Sequence, residues 1–210
     1  MEAREFEDAM REGRLRLAFV GMSNAGKTKS GRALEKAFGF HHVEVDRDIS
    51  EALGMQGTAA LASWLGYPDS AAYAEREQQY LELEEEHTVR QCAISGNVVL
   101  DTTGSVVHLP ERARKKVKDS FFVVHLDVGE AALDVLIERF FRLPKPVIWD
   151  TFFSKELGET TRAALERSYP ALMQERLQRF RTLAHINIPA LQIDVNDGRA
   201  IIEAISAALV

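Results

Sequence analysis

Eight consecutive residues near the amino terminus have the types and spacing that bind phosphate. Residues 21–28 read Gly-Met-Ser-Asn-Ala-Gly-Lys-Thr and match the pattern G-x-x-x-x-G-K-[ST] at every fixed position. In this pattern the glycines let backbone amides surround a phosphate, the lysine reaches the terminal phosphates, and the last hydroxyl can ligate Mg²⁺. We therefore expect a nucleoside triphosphate to bind through Gly21, Ser23, Asn24, Ala25, Gly26, Lys27, Thr28 and Lys29.

Two acidic residues, Asp46 and Asp48, follow the second predicted strand, 42–45. In parallel sheets, ligands lie beyond the carboxyl ends of the strands. One carboxylate can hold a magnesium-bound water while the other orients or deprotonates an acceptor hydroxyl. The alternative is that Asp46 caps the next helix and that Asp48 is an ordinary charge of its first turn.

A third acid, Asp101, ends the apolar strand 97–100. An acid at this position can hold Mg²⁺ through water or act as a base. The hydroxyl groups that follow it, on Thr102, Thr103 and Ser105, can bind a polar acceptor. The alternative is that Asp101 caps the next turn and that the hydroxyls are satisfied locally.

Apolar strands alternate with helical segments along the chain. Strands are predicted at 15–20, 42–45, 97–100, 121–126 and 190–195, and helices at 2–12, 27–37, 47–53, 57–66, 70–92, 110–118, 130–141, 160–185 and 198–209. This alternation predicts an α/β fold of the P-loop NTPase type, with three α/β/α layers and a five-stranded parallel sheet ordered 2-3-1-4-5. We expect a single domain over 1–210, with a core of about 13–45, 95–141 and 161–210, a helical acceptor-binding insert at about 46–92 and a lid at about 142–160.

The predicted lid has the composition of a mobile cover. It carries cations, two prolines and aromatic residues between two helices. Such a cover excludes water, which would otherwise hydrolyse the nucleotide. We expect Lys27 and a lid cation, Arg139, Arg142 or Lys145, to stabilise the charge of the transferring phosphoryl group. The alternative is a long surface loop whose aromatic side chains pack into the core.

The motifs resemble the shikimate kinase family of P-loop small-molecule kinases over about residues 15–209. The segment Asp46-Arg47-Asp48-Ile49 is similar to the family's D-x-D segment, which implies that Asp46 helps to bind Mg²⁺ and that Asp48 contacts the acceptor. Residues 139–148 resemble the lid, with Lys145 in the place of an arginine. Residues 175–184 resemble an E-R-x-x-x-Y-x-x-x-A stretch, which implies that Arg176 binds a substrate carboxylate. Related kinases pack adenine at the turn after the fifth strand, which here contains Asn196.

Two acceptor-site segments depart from the family pattern. The F-R-x-x-E segment aligns with residues 73–77, which places Ala74 where an arginine belongs and leaves Arg76 as a substitute only in a shifted helix register. The triple-glycine turn is replaced by residues 102–105, of which Thr103 and Gly104 are expected to contact the acceptor. Alanine cannot replace the bidentate carboxylate contact of an arginine.

The resemblance implies an ATP- and Mg²⁺-dependent kinase of a small hydroxylated metabolite, with metal ligands Thr28, Asp46 and Asp101. Shikimate is the first acceptor to consider. One alternative is a kinase of another acceptor, such as a nucleoside, a nucleotide or a sugar acid. The other is a nucleotide-binding regulatory protein that has lost phosphotransfer.

The composition is that of a globular protein, with 46% hydrophobic and 28% charged residues and a formal net charge of −6. The negative charge argues against a dedicated nucleic-acid binder, and no run of eighteen apolar residues predicts a membrane span. We expect a cytoplasmic monomer or homodimer whose partners are ATP and a small molecule. Cys92 is the only cysteine, which excludes an internal disulfide. The acidic run 82–86 is expected to form a solvated helix face.

Overall fold

The computed structural model describes residues 1–209 and contains one parallel five-stranded sheet. The strands are β1 (Arg16–Val20), β2 (His41–Glu44), β3 (Val98–Asp101), β4 (Phe122–Asp127) and β5 (Ile186–Pro189). The spatial order is β2-β3-β1-β4-β5, and this confirms the predicted topology. The helices within the described residues are α1 (Ala3–Arg11), α2 (Lys27–Phe38), α3 (Val45–Ala52), α4 (Gly57–Leu65), α5 (Tyr73–Arg90), α6 (Glu111–Ser120), α7 (Leu133–Arg142), α8 (Thr161–Leu183) and α9 (Gly198–Ala207).

The direction of each crossover determines which face of the sheet its helices cover. The connection from β1 to β2 runs one way across the sheet, while those from β2 to β3, β3 to β4 and β4 to β5 run the other way. Because parallel crossovers are right-handed, helices of opposite crossovers lie on opposite faces. Accordingly α2 packs against α9, and α5 packs against α6. The central strands β1, β3 and β4 are therefore covered on both sides, and most of their residues are buried.

The last strand differs from its prediction. The sequence favours 190–195, but the structure places β5 at Ile186–Pro189 and a short 3₁₀ turn at Ala190–Gln192. The strand pairs only with β4 at the edge of the sheet. A strand with one neighbour and partial exposure does not need a continuous apolar sequence, so Ile186 and Ile188 flanking a polar Asn187 are sufficient.

The amino-terminal helix α1 is part of the core. Phe6 is completely buried and its ring meets the edge of Phe122, a residue of β4. The side chain of Asn97 ties α1 to the sheet, since its Nδ2 donates to the carbonyl of Met10 at 3.0 Å and its Oδ1 accepts from the amide of Leu15 at 2.8 Å. Residues 3–11 therefore form a packed layer of the domain.

Two further regions surround the carboxyl edge of the sheet. Helices α3, α4 and α5 fill the connection between β2 and β3 and pack against one another. Residues 143–160 contain neither helix nor strand and join α7 to α8. No helix in the described part of the chain, residues 1–209, combines the length and the apolar character needed to span a membrane.

Candidate active site

The phosphate loop joins the central strand β1 to helix α2, as the sequence pattern predicts. Asn24 (φ 69°) and Gly26 (φ 106°) adopt left-handed conformations that turn the loop tightly. The ammonium group of Lys27 bends back and donates to the carbonyls of Gly21 at 3.0 Å and Met22 at 3.1 Å. Burial lowers the pKa of Lys27, and nearby Asp101 and Asp46 partly oppose that shift. The lysine is thus enclosed by its own loop.

The loop opens into a pocket of about 830 Å³. Of the predicted site residues, the pocket is lined by Ser23, Asn24, Ala25, Gly26, Lys27, Thr28, Lys29, Asp46, Asp101, Gly104, Arg139 and Lys145. The structure thus brings the phosphate loop, two acids and two cations of the predicted lid region together around one space.

Two glycines, Gly26 and Gly104, let neighbouring segments pack closely at the phosphate loop. A Cβ on Gly26 would lie 2.9 Å from the side chain of Val195, and a Cβ on Gly104 would lie 2.9 Å from the hydroxyl of Ser23. Both glycines therefore allow a neighbouring segment to approach the loop closely. Ala190, Leu191 and Val195 form the apolar wall near the loop.

Thr28 and Asp101 form the hydrogen bond expected of a magnesium-binding pair. The Thr28 hydroxyl donates to Oδ2 of Asp101 at 2.5 Å, and Asp101 is buried. Asp46 lies in the same pocket and accepts a bond from the Tyr80 hydroxyl at 3.4 Å. Burial, with a further contribution from the charge of Asp101, raises the pKa of Asp46 to about 6. Asp46 is therefore a weaker acid than usual and remains mostly ionised at neutral pH.

These groups fit Mg²⁺ by the chemistry of their donors. They are a hydroxyl and carboxylates, the hard oxygen donors that Mg²⁺ prefers. Within residues 1–209 there is no group of three or more His, Cys, Asp or Glu side chains arranged to hold a metal. Mg²⁺ characteristically takes one or two protein ligands and completes its shell with water and substrate phosphates. Thr28 and Asp101 are sufficient for that type of site.

Asp48 lies outside the pocket, contrary to the expected contact with the acceptor. Its Oδ2 accepts a bond from Nε2 of Gln91 at 3.3 Å and lies 3.8 Å from both His87 and Arg90. The physical reason is that α3 begins at Val45, two residues earlier than predicted. On a helix, residues two apart point about 200° from one another, so only one of the two acids can face the phosphate loop.

Three other predicted contacts are corrected by the structure. Arg142 is exposed and pairs with Glu138 one helical turn earlier, outside the pocket. The side chain of Asn196 donates to Asp194 at 3.0 Å, and its neighbour Val195 contributes to the pocket wall instead. Arg76 donates to the carbonyl of Trp64 at 2.5 Å and does not line the pocket, so a shifted register does not bring it to the site.

Glu84 is a buried carboxylate that the sequence interpretation missed. The acidic run was expected to be solvated, yet Glu84 is completely buried. It accepts hydrogen bonds from the hydroxyls of Thr103 and Ser105, the latter at 2.6 Å. Burial raises the pKa of Glu84 to about 7, although these two hydrogen bonds act in the opposite direction. Thr103 was expected to contact the acceptor, but its hydroxyl is used in this buried cluster beside the pocket-lining Gly104.

Two further cations lie at or near the pocket: Lys145 lines it, and Arg176 lies close to its wall at Gly104. Lys145 donates to the Thr58 hydroxyl at 2.7 Å, which connects the predicted lid to α4. Arg176 on α8 is buried, and its Nη1 lies 3.9 Å from the position of a Cβ on Gly104. Arg176 is therefore close enough to the pocket for the predicted role with an anionic group of the acceptor.

A parallel sheet with its phosphate loop after the central strand defines the protein as a P-loop α/β protein. The shikimate kinase family model matches residues 23–175, which is most of the chain. The chain therefore belongs to the shikimate kinase family, and the resemblance seen in its motifs is confirmed.

Relatives and solved structures agree with this assignment. The chain is 30% identical over 127 residues to a shikimate kinase of Rhizobium meliloti (strain 1021) and 28% identical over 122 residues to one of Dechloromonas aromatica (strain RCB). These alignments cover 60% and 58% of this chain, and 58% and 60% of the respective relatives, so the match spans about three fifths of their length. The fold is similar to that of a shikimate kinase from Acinetobacter baumannii in complex with shikimate, with a TM-score of 0.67, 19% identity and coverage of 98% of this chain and 97% of the other. A shikimate kinase from Bacteroides thetaiotaomicron gives a TM-score of 0.62, 18% identity and coverage of 93% and 98%.

Proposed function

We propose that the protein is an ATP- and Mg²⁺-dependent phosphotransferase that phosphorylates a hydroxyl of a small metabolite, with shikimate as the leading acceptor. The observation that carries this proposal is the bond between Thr28 and Asp101 beside a lysine enclosed by the phosphate loop. These groups bind the metal and the terminal phosphates in P-loop enzymes that transfer phosphoryl groups. Membership of the shikimate kinase family supports the same reaction class.

Each side chain of the pocket has a distinct task in this proposal. Thr28 and Asp101 would hold Mg²⁺, which neutralises charge on the nucleotide phosphates. Lys27 exchanges its two loop carbonyls for phosphate oxygens when ATP binds. Arg139 and Lys145 also line the pocket and would stabilise the negative charge of the transferring group.

Asp46, rather than Asp48, is assigned to the acceptor hydroxyl. Of these two aspartates only Asp46 lines the pocket, and it lies near Lys27 and Asp101. With a pKa of about 6 it is ionised at neutral pH and accepts the hydroxyl proton during transfer. A general base whose pKa is close to the working pH is well matched to this step.

The choice of shikimate rests on the family and on one buried cation. Arg176 approaches the pocket next to Gly104 and offers a charge-assisted contact to a carboxylate. A related protein from Acinetobacter baumannii was solved in complex with shikimate. A hydroxylated ring acid would offer a hydroxyl to Asp46, which lines the pocket, and a carboxylate to Arg176, which lies next to Gly104 of the pocket wall.

The test is ADP release with Mg²⁺-ATP and a panel of acceptors that contains shikimate, sugar acids, nucleosides and nucleoside monophosphates. We expect stimulation by shikimate that is lost in Lys27→Ala and retained in Lys36→Ala, an exposed lysine of the same helix. A second matched pair separates the two acids of α3. Asp46→Asn removes turnover, whereas Asp48→Asn leaves it close to wild type.

Stimulation by a different compound would show that the acceptor is not shikimate and would still support phosphotransfer. ATP binding without stimulation by any compound would contradict phosphotransfer and favour a nucleotide-binding regulatory role. Equal losses in Asp46→Asn and Asp48→Asn would contradict the assignment of Asp46.

A further inference from the structure

Arg176 uses two of its three guanidinium nitrogens within the protein. Its Nε donates to Nε2 of His108 at 3.1 Å, and its Nη2 donates to the carbonyl of Ile148 at 2.6 Å. The remaining nitrogen, Nη1, faces Gly104 on the wall of the main pocket. Two contacts thus fix the plane of the guanidinium and leave one edge for a ligand.

The contact with His108 determines which imidazole nitrogen carries the proton. A guanidinium can only donate, and His108 meets two of them: Nε2 lies 3.1 Å from Nε of Arg176, and Nδ1 lies 3.5 Å from Nη1 of Arg179. The shorter contact assigns the accepting lone pair to Nε2 and the proton to Nδ1. Nδ1 also lies 3.4 Å from Oδ2 of Asp150, a close contact with a negative charge. Burial and the charges of Arg176, Arg179 and Arg114 lower the pKa of His108 to about 3, so the accepting lone pair is retained at neutral pH.

Asp150 adopts a conformation that its surroundings must maintain. Its φ is +51°, in the left-handed region that costs free energy for any residue except glycine. Asp150 follows Ile148 and Trp149, so one short segment of the predicted lid, 142–160, provides both the carbonyl for Arg176 and the carboxylate near His108. Nη1 of Arg179, one turn after Arg176, lies 3.7 Å from the same carboxylate oxygen and pairs with it beside His108.

A second cavity explains why the arginine needs this support. His108, Ile148, Asp150 and Arg179 line a space of about 250 Å³ that is separate from the main pocket. Both protein partners of Arg176 are therefore walls of this space. Without His108, the guanidinium would have room to rotate away from Gly104.

We propose that His108 and Asp150 are positioning residues that hold Arg176 with its Nη1 edge towards the main pocket. The role of that edge in binding an acceptor carboxylate rests on the proposed function, whereas the positioning itself does not. The contacts run in sequence from Asp150 to His108, from His108 to Arg176 and from Arg176 to the pocket wall. Of these three residues, the sequence motifs place only Arg176 at the acceptor and assign no role to His108 or Asp150.

The first experiment needs no substrate. ¹⁵N NMR of the intact protein reports the tautomer of His108 and the order and solvent exchange of the Arg176 Nε–H. We expect a neutral His108 with its proton on Nδ1 and an ordered, slowly exchanging Arg176. In His108→Gln, which keeps an acceptor near the Nε2 position, the Arg176 signal stays protected, and in the similarly sized His108→Leu its exchange accelerates at least about tenfold. A proton on Nε2, or equal protection in both variants, would overturn the proposal.

Asp150→Gly separates a positioning role from a purely structural one. A structural role predicts lower thermal stability in this variant, whereas a positioning role predicts unchanged or higher stability together with faster exchange at Arg176. Glycine relieves the left-handed strain, so thermal stability stays the same or rises, while loss of the carboxylate accelerates exchange of the Arg176 Nε–H. Unchanged exchange in this variant would contradict the role of Asp150.

The kinetic experiment uses shikimate as the acceptor. His108→Leu is expected to raise the KM for shikimate at least about tenfold while the KM for ATP stays within about twofold, and His108→Gln is expected to restore most of the loss. Equal acceptor KM values in wild type and His108→Leu would contradict the proposal. If wild type itself shows no turnover with any acceptor, the proposed function fails, and the NMR experiment still decides the positioning of Arg176.

Discussion

Glu84 and Asp46 show how the environment of a carboxylate changes what a single residue contributes. Both have pKa values raised mainly by burial, to about 7 and about 6. Glu84 is tied to two buried hydroxyls and does not line the pocket, whereas Asp46 lies in the pocket with Lys27. The first residue therefore affects stability, and the second affects the reaction.

Glu84→Gln is expected to make the protein more stable at high pH. The pKa of Glu84 is higher in the folded state than its ordinary value of 4.5, so the folded protein binds the proton more tightly. The resulting stabilisation is fully present below about pH 4.5 and is lost as the pH rises through about 7. A shift of this size corresponds to roughly 3 kcal/mol at most. Urea denaturation of wild type and Glu84→Gln between pH 5 and 8 checks this. Parallel pH profiles in the two proteins would refute the expectation.

Asp46 is expected to control the acidic limb of the pH–rate profile. Only the ionised carboxylate can accept the acceptor proton, so kcat/KM should fall as the pH decreases through about 6. Asp46→Asn should lower kcat by about 10²–10⁴-fold, the usual contribution of a general base. ATP affinity, measured by calorimetry, should change little in this variant. An unchanged acidic limb in a residually active Asp46→Asn would show that another group titrates.

At the scale of elements, the packing of α2 on the sheet fixes the phosphate loop. Gly31 on α2 faces the imidazole of His42 on β2, and a Cβ at this position would lie 2.3 Å from Nε2. His42 is itself buried and lies 3.9 Å from Asp101. The helix that begins with Lys27 can therefore approach β2 only because position 31 has no side chain.

Gly31→Ala is expected to destabilise the fold by about 1–3 kcal/mol, the usual cost of overpacking a core. The same substitution in a His42→Ala background should become neutral or stabilising, because alanine has the higher helix propensity by about 1 kcal/mol. A double-mutant cycle by denaturant unfolding measures the coupling. Equal effects of Gly31→Ala in both backgrounds would show that His42 is not the group that limits space.

The elements were largely predictable from sequence, but the orientation of individual helices was not. The phosphate loop and the strand order follow from a local pattern and from general rules of connection. Asp48 was expected beside Asp46 at the pocket, but α3 begins at Val45 and contains both acids, so they point in nearly opposite directions and only Asp46 lines the pocket. The burial of Glu84 depends on hydroxyls about twenty residues further along the chain, which a local charge pattern does not contain. One signal was available, since Glu84 follows Tyr73 and Tyr80 at spacings of eleven and four and so shares their helix face.

At the scale of the whole molecule, α1 contributes to stability and not to the pocket. Phe6 is completely buried against Phe122, and no residue of α1 lines the pocket. Residues 3–11 therefore act on function only through the stability of the domain.

Phe6→Ala is expected to lower the free energy of unfolding by about 3–5 kcal/mol, as for other large-to-small core substitutions. ATP affinity at a temperature where the variant is folded should equal that of wild type. Val135→Ala, at an exposed apolar position, is the matched control and should change stability by less than about 0.5 kcal/mol. Denaturant unfolding and calorimetric titration provide the two measurements. A loss of ATP affinity in folded Phe6→Ala would contradict the conclusion that α1 contributes to stability and not to the pocket.

The sheet order also determines when the phosphate loop can form during synthesis. β1, which leads into the loop, pairs with β3 and β4, and its second neighbour ends at Asp127. More than 100 residues must therefore be made after β1, which ends at Val20, before β1 is enclosed on both edges. Until then an apolar strand made among the first residues stays exposed and depends on long-range pairing, which is slow and prone to aggregation. Nucleotide can thus bind only after residues up to Asp127 have been made, and it cannot assist the folding steps that precede the pairing of β1 with β4.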